Sequence, residues 1–229
     1  MERNRIGSAV WRALTLLLLV ALLGGAAWPN QAVSAEVCYE RNAESLLYLR
    51  CYYDSGSLKA TGSGFVATED GLLFTAAHVV QDGAAFTAIL PDGTELPLTL
   101  VRCDVESDLA ALRLPPGKYR PVTFGDRIPR PGGVVRAMGF PIKGTGIITE
   151  GLLSAQCAEV SGREHMLVTC DIVNGMSGGP ILDACGRVVG VVSGSVRTMD
   201  GIHLSVRSEA LFRMLRDITK NQTETLKEE

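Results

Sequence analysis

Past residue 45 the chain alternates short apolar runs with Gly-, Asp- and Pro-containing breaks. Leu46 to Tyr53, Gly64 to Thr68, Leu72 to Thr75, Phe86 to Leu90, Leu96 to Arg102 and Leu109 to Leu114 each have strand length, several with period-two alternation. Turn-forming strings separate them, among them Asp54-Ser55-Gly56, Glu69-Asp70-Gly71, Pro91-Asp92-Gly93 and Pro115-Pro116-Gly117. A second series follows: Val134 to Met138, Ile147 to Ala155, a hairpin of Leu152 to Val160 with His165 to Asp171, Pro180 to Leu182, Val188 to Val192 and Ile202 to Val206. The rhythm predicts an all-β protein in two halves, with the Pro- and Gly-rich stretch 115–133 as the passage between them. One helix is predicted near the end: Ser208 caps it, and Ala210, Leu211, Met214, Leu215 and Ile218 form an apolar stripe at helical spacing. The polar residues 218–229 read as a fraying tail.

Ahead of this pattern stands a segment of another kind. Arg3, Arg5 and Arg12 precede an apolar run from Ala13 to Ala27, and a polar stretch ends in the small residues Val33-Ser34-Ala35. This predicts a signal peptide over 1–35 and an exported body, periplasmic or secreted; the alternative is an uncleaved membrane anchor. All six cysteines (Cys38, Cys51, Cys103, Cys157, Cys170 and Cys185) lie beyond it. An even count in an exported chain predicts disulfides, and the absence of Cys-x-x-Cys spacing argues against a zinc site. If the hairpin turns near Arg163, Cys157 and Cys170 face each other and pair; the pairing of the other four is open. The net charge of −3, with Lys and Arg scattered, gives no nucleic-acid-binding surface. No cofactor or metal is called for, and oligomeric state is not legible.

The chemistry lies in three strings. Gly175-Met176-Ser177-Gly178-Gly179-Pro180 holds a serine among residues that permit a tight turn. A serine hydroxyl is a weak nucleophile and needs a base, and the base needs a group to fix its tautomer. Of three histidines, His78 is the candidate base: Thr75-Ala76-Ala77-His78 places it after an apolar strand end, whereas His165 sits beside the hairpin turn and His203 in a late strand. Asp108, at the mouth of the apolar run Leu109-Ala110-Ala111-Leu112, is the candidate orienter, because a carboxylate there is costly to bury unless paired. Asp104 is its nearest competitor.

These strings, with Thr61-Gly62-Ser63-Gly64-Phe65 and in the order His, Asp, Ser, resemble the trypsin-like (chymotrypsin-fold) serine proteases of the bacterial HtrA/Deg-like branch, over roughly Leu46 to Leu215. The resemblance implies two six-stranded antiparallel β-barrels, about 46–116 and 130–207, followed by the C-terminal helix (about 208–217), the whole protease domain spanning 36–217. It implies that Ser177 attacks a scissile carbonyl, His78 relays the proton, Asp108 stabilises the imidazolium, and the N–H groups of Gly175 and Ser177 form an oxyanion hole. Substrates would be proteins or extended peptides. It further implies that the strand through Val191, Val192 and Ser193 lines the P1 pocket, its valines favouring a small or aliphatic P1 residue. Asp171, six before the serine, stands where an acidic pocket base would select Arg or Lys, and Ser193 would hydrogen-bond Asp108 from behind. Met176 departs from the acidic residue of the digestive enzymes, so activation by a freed N-terminal amine is not expected, and neither is a PDZ domain after the helix. The rival reading is a binding module of this fold whose catalysis is latent or lost.

Overall fold

The computed structural model describes residues 31–195 and 200–228; residues 1–30, which hold most of the expected signal segment and its apolar run, lie outside them. Twelve strands close into two barrels. The first runs β1 (Leu46–Tyr52), β2 (Leu58–Val66), β3 (Leu72–Thr75), β4 (Ala85–Ile89), β5 (Glu95–Asp104) and β6 (Leu109–Arg113), hydrogen-bonded in the order β1-β2-β3-β6-β5-β4. The second comprises β7 (Val134–Ile142), β8 (Thr145–Val160), β9 (Arg163–Val168), β10 (Pro180–Asp183), β11 (Val188–Ser195) and β12 (His203–Arg207), in the order β10-β11-β12-β9-β8-β7. Every pairing between these strands is antiparallel, as the period-two patterning predicts.

Alternation decides where each side chain goes. Leu47, Leu49 and Cys51 of β1 point into the first barrel with Val66, Leu73, Leu98 and Leu112. Their neighbours Leu46 and Tyr48 point the other way, into a core with Phe65, Phe74, Leu109, Met138, Phe140, Leu182 and Val206 that draws on both barrels. Tyr48 meets Phe140 edge to face at 6.3 Å, a direct barrel-to-barrel contact. The second barrel is filled by Val135, Leu153, Met166, Val168, Ile181, Val189 and Val192. Segments that would read as loops are strung across this frame: in the passage 115–133, Val122 N–H donates to Val66 O and Val188 N–H to Thr123 O.

Two boundaries differ from expectation. The C-terminal helix runs from Ser208 to Glu228, so the polar residues read as a tail are helical through Glu228. At the other end, helix α1 (Ala35–Asn42) begins with Ser34 Oγ accepting the Val37 N–H at 3.2 Å. Val33 N–H donates to Ala184 O (2.9 Å), and the buried Arg136 donates to Val33 O (3.0 Å). The body therefore starts by Val33, and a boundary after Ala35 cuts through its first helical cap. The remaining helices are α2 (Ala77–Val80) and α3, the C-terminal helix, whose Leu211, Met214 and Ile218 enter the shared core.

The cysteines correct a further expectation. All six are free thiols, and Cys157 does not face Cys170. The β8–β9 hairpin turns at Ser161-Gly162, where Val160 pairs with Arg163, and two bulges shift the register further along. Cys157 is consequently exposed, while Cys170 lies fully buried past the end of β9 and donates to Val135 O at 3.4 Å. The expected pairing fails because the turn lies before Arg163 and the ladder is broken by bulges.

Candidate active site

His78 sits on α2, one turn of helix that follows β3 directly. Thr75 and Ala76 are fully buried and lock this corner, whereas the His78 side chain is 46% exposed, so the ring stands at the surface of a rigid scaffold. Asp108 closes the 104–108 turn before β6. It is one of the few non-glycine residues at positive φ (52°), a strained conformation that surrounding contacts must hold. Those contacts converge on its carboxylate. The His78 ring Nδ1 lies 3.0 Å from both Oδ1 and Oδ2, the His78 backbone N–H donates to Oδ1 at 3.0 Å, and the Ser193 hydroxyl donates to Oδ2. Burial pushes the Asp108 carboxyl up, but the bonds from His78 and Ser193 outweigh it and hold the group below its ordinary range. An ionised carboxylate at Nδ1 fixes the tautomer with its proton on Nδ1 and leaves Nε2 as the basic nitrogen. The structure thus brings His78, Asp108 and Ser193 together. The carboxylate of Asp104, the competitor, bonds among the described residues within its own turn, to Ser107 and the Glu106 N–H.

Ser177 comes from the second barrel, on the turn before β10. Its flanks are pinned: Gly178 N–H donates to Val192 O and Val192 N–H to Gly179 O, both at 2.8 Å, tying the turn to β11. Gly175 (φ 94°) and Gly178 (φ 86°) take conformations closed to most other residues. The Ser177 hydroxyl donates to Ser193 O at 3.4 Å, and among the described residues it has no hydrogen bond to the His78 ring. Bonds of this kind are commonly long before substrate binds and tighten afterwards. The N–H groups of Gly175 and Ser177 have no acceptor among the described residues, while that of Met176 between them goes to Val173 O. Two free donors on one turn are what a developing oxyanion needs.

Ser63 lies in the string Thr61-Gly62-Ser63-Gly64-Phe65. Its buried hydroxyl, on β2 of the first barrel, donates to Gly175 O (2.7 Å) and accepts from Phe140 N–H (2.8 Å), and its own N–H donates to Ser177 O (2.8 Å). One side chain thus holds the serine turn against the opposite barrel. The signal was available: a serine between two glycines in an apolar strand must find a partner once buried.

The expected specificity residues divide. Val191 and Val192 are fully buried, Val191 in the shared core and Val192 inside the second barrel, so neither side chain lines a pocket. A strand with both faces covered does not show which face meets a ligand. Asp171 is exposed, three residues past β9, with its carbonyl accepting the Thr149 hydroxyl at 2.8 Å.

A family model described as the trypsin-like peptidase domain matches residues 62–191, more than half of the chain. Among curated proteins, the chain is 40% identical over 138 residues to a probable periplasmic serine endoprotease DegP-like of Brucella suis, a match covering 58% of this chain and 27% of that protein. It is 37% identical over 173 residues to the protein of the same description from Rhizobium meliloti, covering 70% and 34%. To the human serine protease HTRA4 it is 29% identical over 171 residues, covering 71% and 36%. The chain thus spans about a third of the length of these relatives. With two six-stranded barrels and these matches, the chain belongs to the trypsin-like peptidase family.

Proposed function

We propose that this chain is an exported serine endopeptidase acting through Ser177, His78 and Asp108. The observation that carries the reading is the His78–Asp108 pair, Nδ1 within 3.0 Å of both carboxylate oxygens, linked through Ser193, which bonds Asp108 with its hydroxyl and takes the Ser177 hydroxyl on its carbonyl. In this mechanism the Ser177 hydroxyl rotates from Ser193 O towards His78 Nε2. It attacks the carbonyl carbon as Nε2 takes its proton, and the oxyanion settles on the Gly175 and Ser177 N–H groups. The imidazolium, stabilised by Asp108, then gives the proton to the leaving amine, and water repeats the cycle to free the acyl group. Export rests on the basic and apolar pattern of residues 1–35 and on the periplasmic description of the relatives. Extended protein or peptide substrates would add as a strand to the end of β11 past Val192, beyond its pairing with β10.

The turning of the Ser177 hydroxyl towards Ser193 O favours one second reading, a site that is latent until a ligand reorients it. One experiment separates the two. The folded protein is treated with a fluorophosphonate and the adduct located by mass spectrometry, with Ser177→Ala and His78→Ala as controls. Labelling of Ser177 in wild type alone is the expected result. Absence of label on the folded protein overturns the protease reading in favour of the latent one.

A further inference from the structure

Two of the six thiols meet where the first helix leans on the second barrel. Cys38 is fully buried on α1, and the residues around it are tied to the turn between β10 and β11. Val33 N–H donates to Ala184 O at 2.9 Å, and the buried Asn42 donates to Cys38 O at 2.9 Å and to Gly186 O at 3.1 Å. The guanidinium of Arg136, itself buried, bonds Val33 O at 3.0 Å and Ala184 O at 3.4 Å, so one side chain holds both segments. Both chain neighbours of Cys185 therefore touch the α1 segment. On the Gly186 side the contact is with Cys38: a Cβ built on Gly186 would stand 3.5 Å from Cys38 Sγ and 3.8 Å from Cys38 Cα. Cys185 is fixed from its own side as well, since the carboxylate of the buried Asp183 accepts the N–H groups of Cys185 and Arg187, both at 2.9 Å. The other cysteines lie elsewhere. Cys51 belongs to the first barrel's core and Cys103 packs against it, Cys170 belongs to the second's, and Cys157 is exposed on β8.

We propose that Cys38 and Cys185 form a disulfide that staples α1 to the β10–β11 turn. Disulfides join Cα atoms about 4.4–6.8 Å apart, the spacing of chain segments in direct contact, as these two are. Cys185, half-buried, is the thiol that an external disulfide reaches first. Its thiolate attacks one sulfur of that donor, the disulfide of a dithiol oxidase or of glutathione, and expels the other as a thiolate. The Cys38 thiolate then attacks Cys185 Sγ and expels the donor's second sulfur. The two thiols have given up two protons and two electrons, and the donor disulfide has become two thiols. The inference rests on the proposed export only for this oxidant, which an oxidising compartment supplies. The closed loop runs from α1 through β10 and takes in all of the first barrel and much of the second. Cross-links across long loops restrict the unfolded chain most.

The full chain, folded and reduced, is treated with oxidised glutathione at pH 8, alkylated with iodoacetamide without reduction, and digested. Mass mapping is expected to show the peptides of Cys38 and Cys185 joined, and to show them apart after dithiothreitol. Thermal unfolding gives a second reading. Reductant should lower the Tm of the oxidised wild type by about 5 °C or more beyond its effect on a Cys38→Ser/Cys185→Ser double variant. Cys38 and Cys185 both alkylated, or either one joined to a different cysteine, overturns the proposal, as does a Tm that reductant moves equally in the two proteins. The same map on protein alkylated directly in cells separates the pairing from the export: a pair that forms with glutathione but is reduced in cells upholds the staple and removes the exported reading.

Discussion

Asp108 holds its strained backbone because four contacts from two residues, His78 and Ser193, converge on one carboxylate. The same contacts lower its pKa in the folded state, and that fixes the sign of a pH effect. A carboxyl with a depressed folded pKa stabilises the protein fully above its unfolded value, about 3.9, and loses that contribution as pH falls through the folded value. In urea unfolding from pH 6 to pH 2.5, the stability difference between wild type and Asp108→Asn is expected to shrink below about pH 4. Asp70 and Asp104, also held low, keep some acid sensitivity in both proteins. A difference constant across that range means that Asp108 is not held ionised by its neighbours. At this scale the candidate site was largely legible: the candidate nucleophile, base and orienter each sit in a local string whose residue types serve one chemistry. What was not legible depends on which way a strand faces. Val191 and Val192 are core, and Ser63 matters because of what lies across a barrel wall, which no local string records.

Among the elements, the strands follow from alternation closely, since a slip of one residue would turn Leu47 and Leu49 out of their barrel. The hairpin β8–β9 shows the limit. Bulges are set by tertiary curvature rather than by composition, so a pairing counted from an assumed turn drifts, and Cys157 and Cys170 end up in opposite environments. The consequence is a ladder of thiol reactivity. Burial pushes the Cys170 thiol up to about 12, and Cys38 and Cys51 are likewise buried and raised, whereas Cys157 is exposed. Since the thiolate is the reactive form, limited iodoacetamide treatment of the reduced native protein at pH 8 is expected to modify Cys157 first and Cys170 last. Peptide mass mapping reads the order, and denatured protein should react at all six sites. Equal rates at Cys157 and Cys170 in native protein contradict the β8–β9 register.

For the molecule as a whole, the question is how two barrels present one site. The join is made directly beneath the serine: Ser63 of the first barrel bonds the backbone of Phe140, Gly175 and Ser177 in the second, and the Thr75 hydroxyl, two residues from α2, donates to Ser63 O at 2.7 Å. This packing leaves no volume at Gly178. A methyl group there would come within 2.1 Å of Thr75 Oγ1 and 2.2 Å of Ser63 O, and φ is 86°. Neither obstacle is the free end of a flexible side chain, because Thr75 is fully buried and Ser63 O is main chain. Gly178→Ala must therefore open the join, displacing the Ser177 turn from His78 although both barrels keep their own cores. The expected outcome is loss of fluorophosphonate labelling by a hundredfold or more, with far-UV circular dichroism near that of wild type and a lower Tm. A misplacement of about 1 Å is enough for a loss of that size. Gly93→Ala supplies the control. It also has positive φ (87°), but nothing lies within 4 Å of an added methyl, so it should cost a modest amount of stability and leave labelling intact. If Gly178→Ala labels like Gly93→Ala, the barrels are not keyed together at this point, and the alignment of His78 with Ser177 must come from the shared core around Leu46, Phe65 and Phe140 instead.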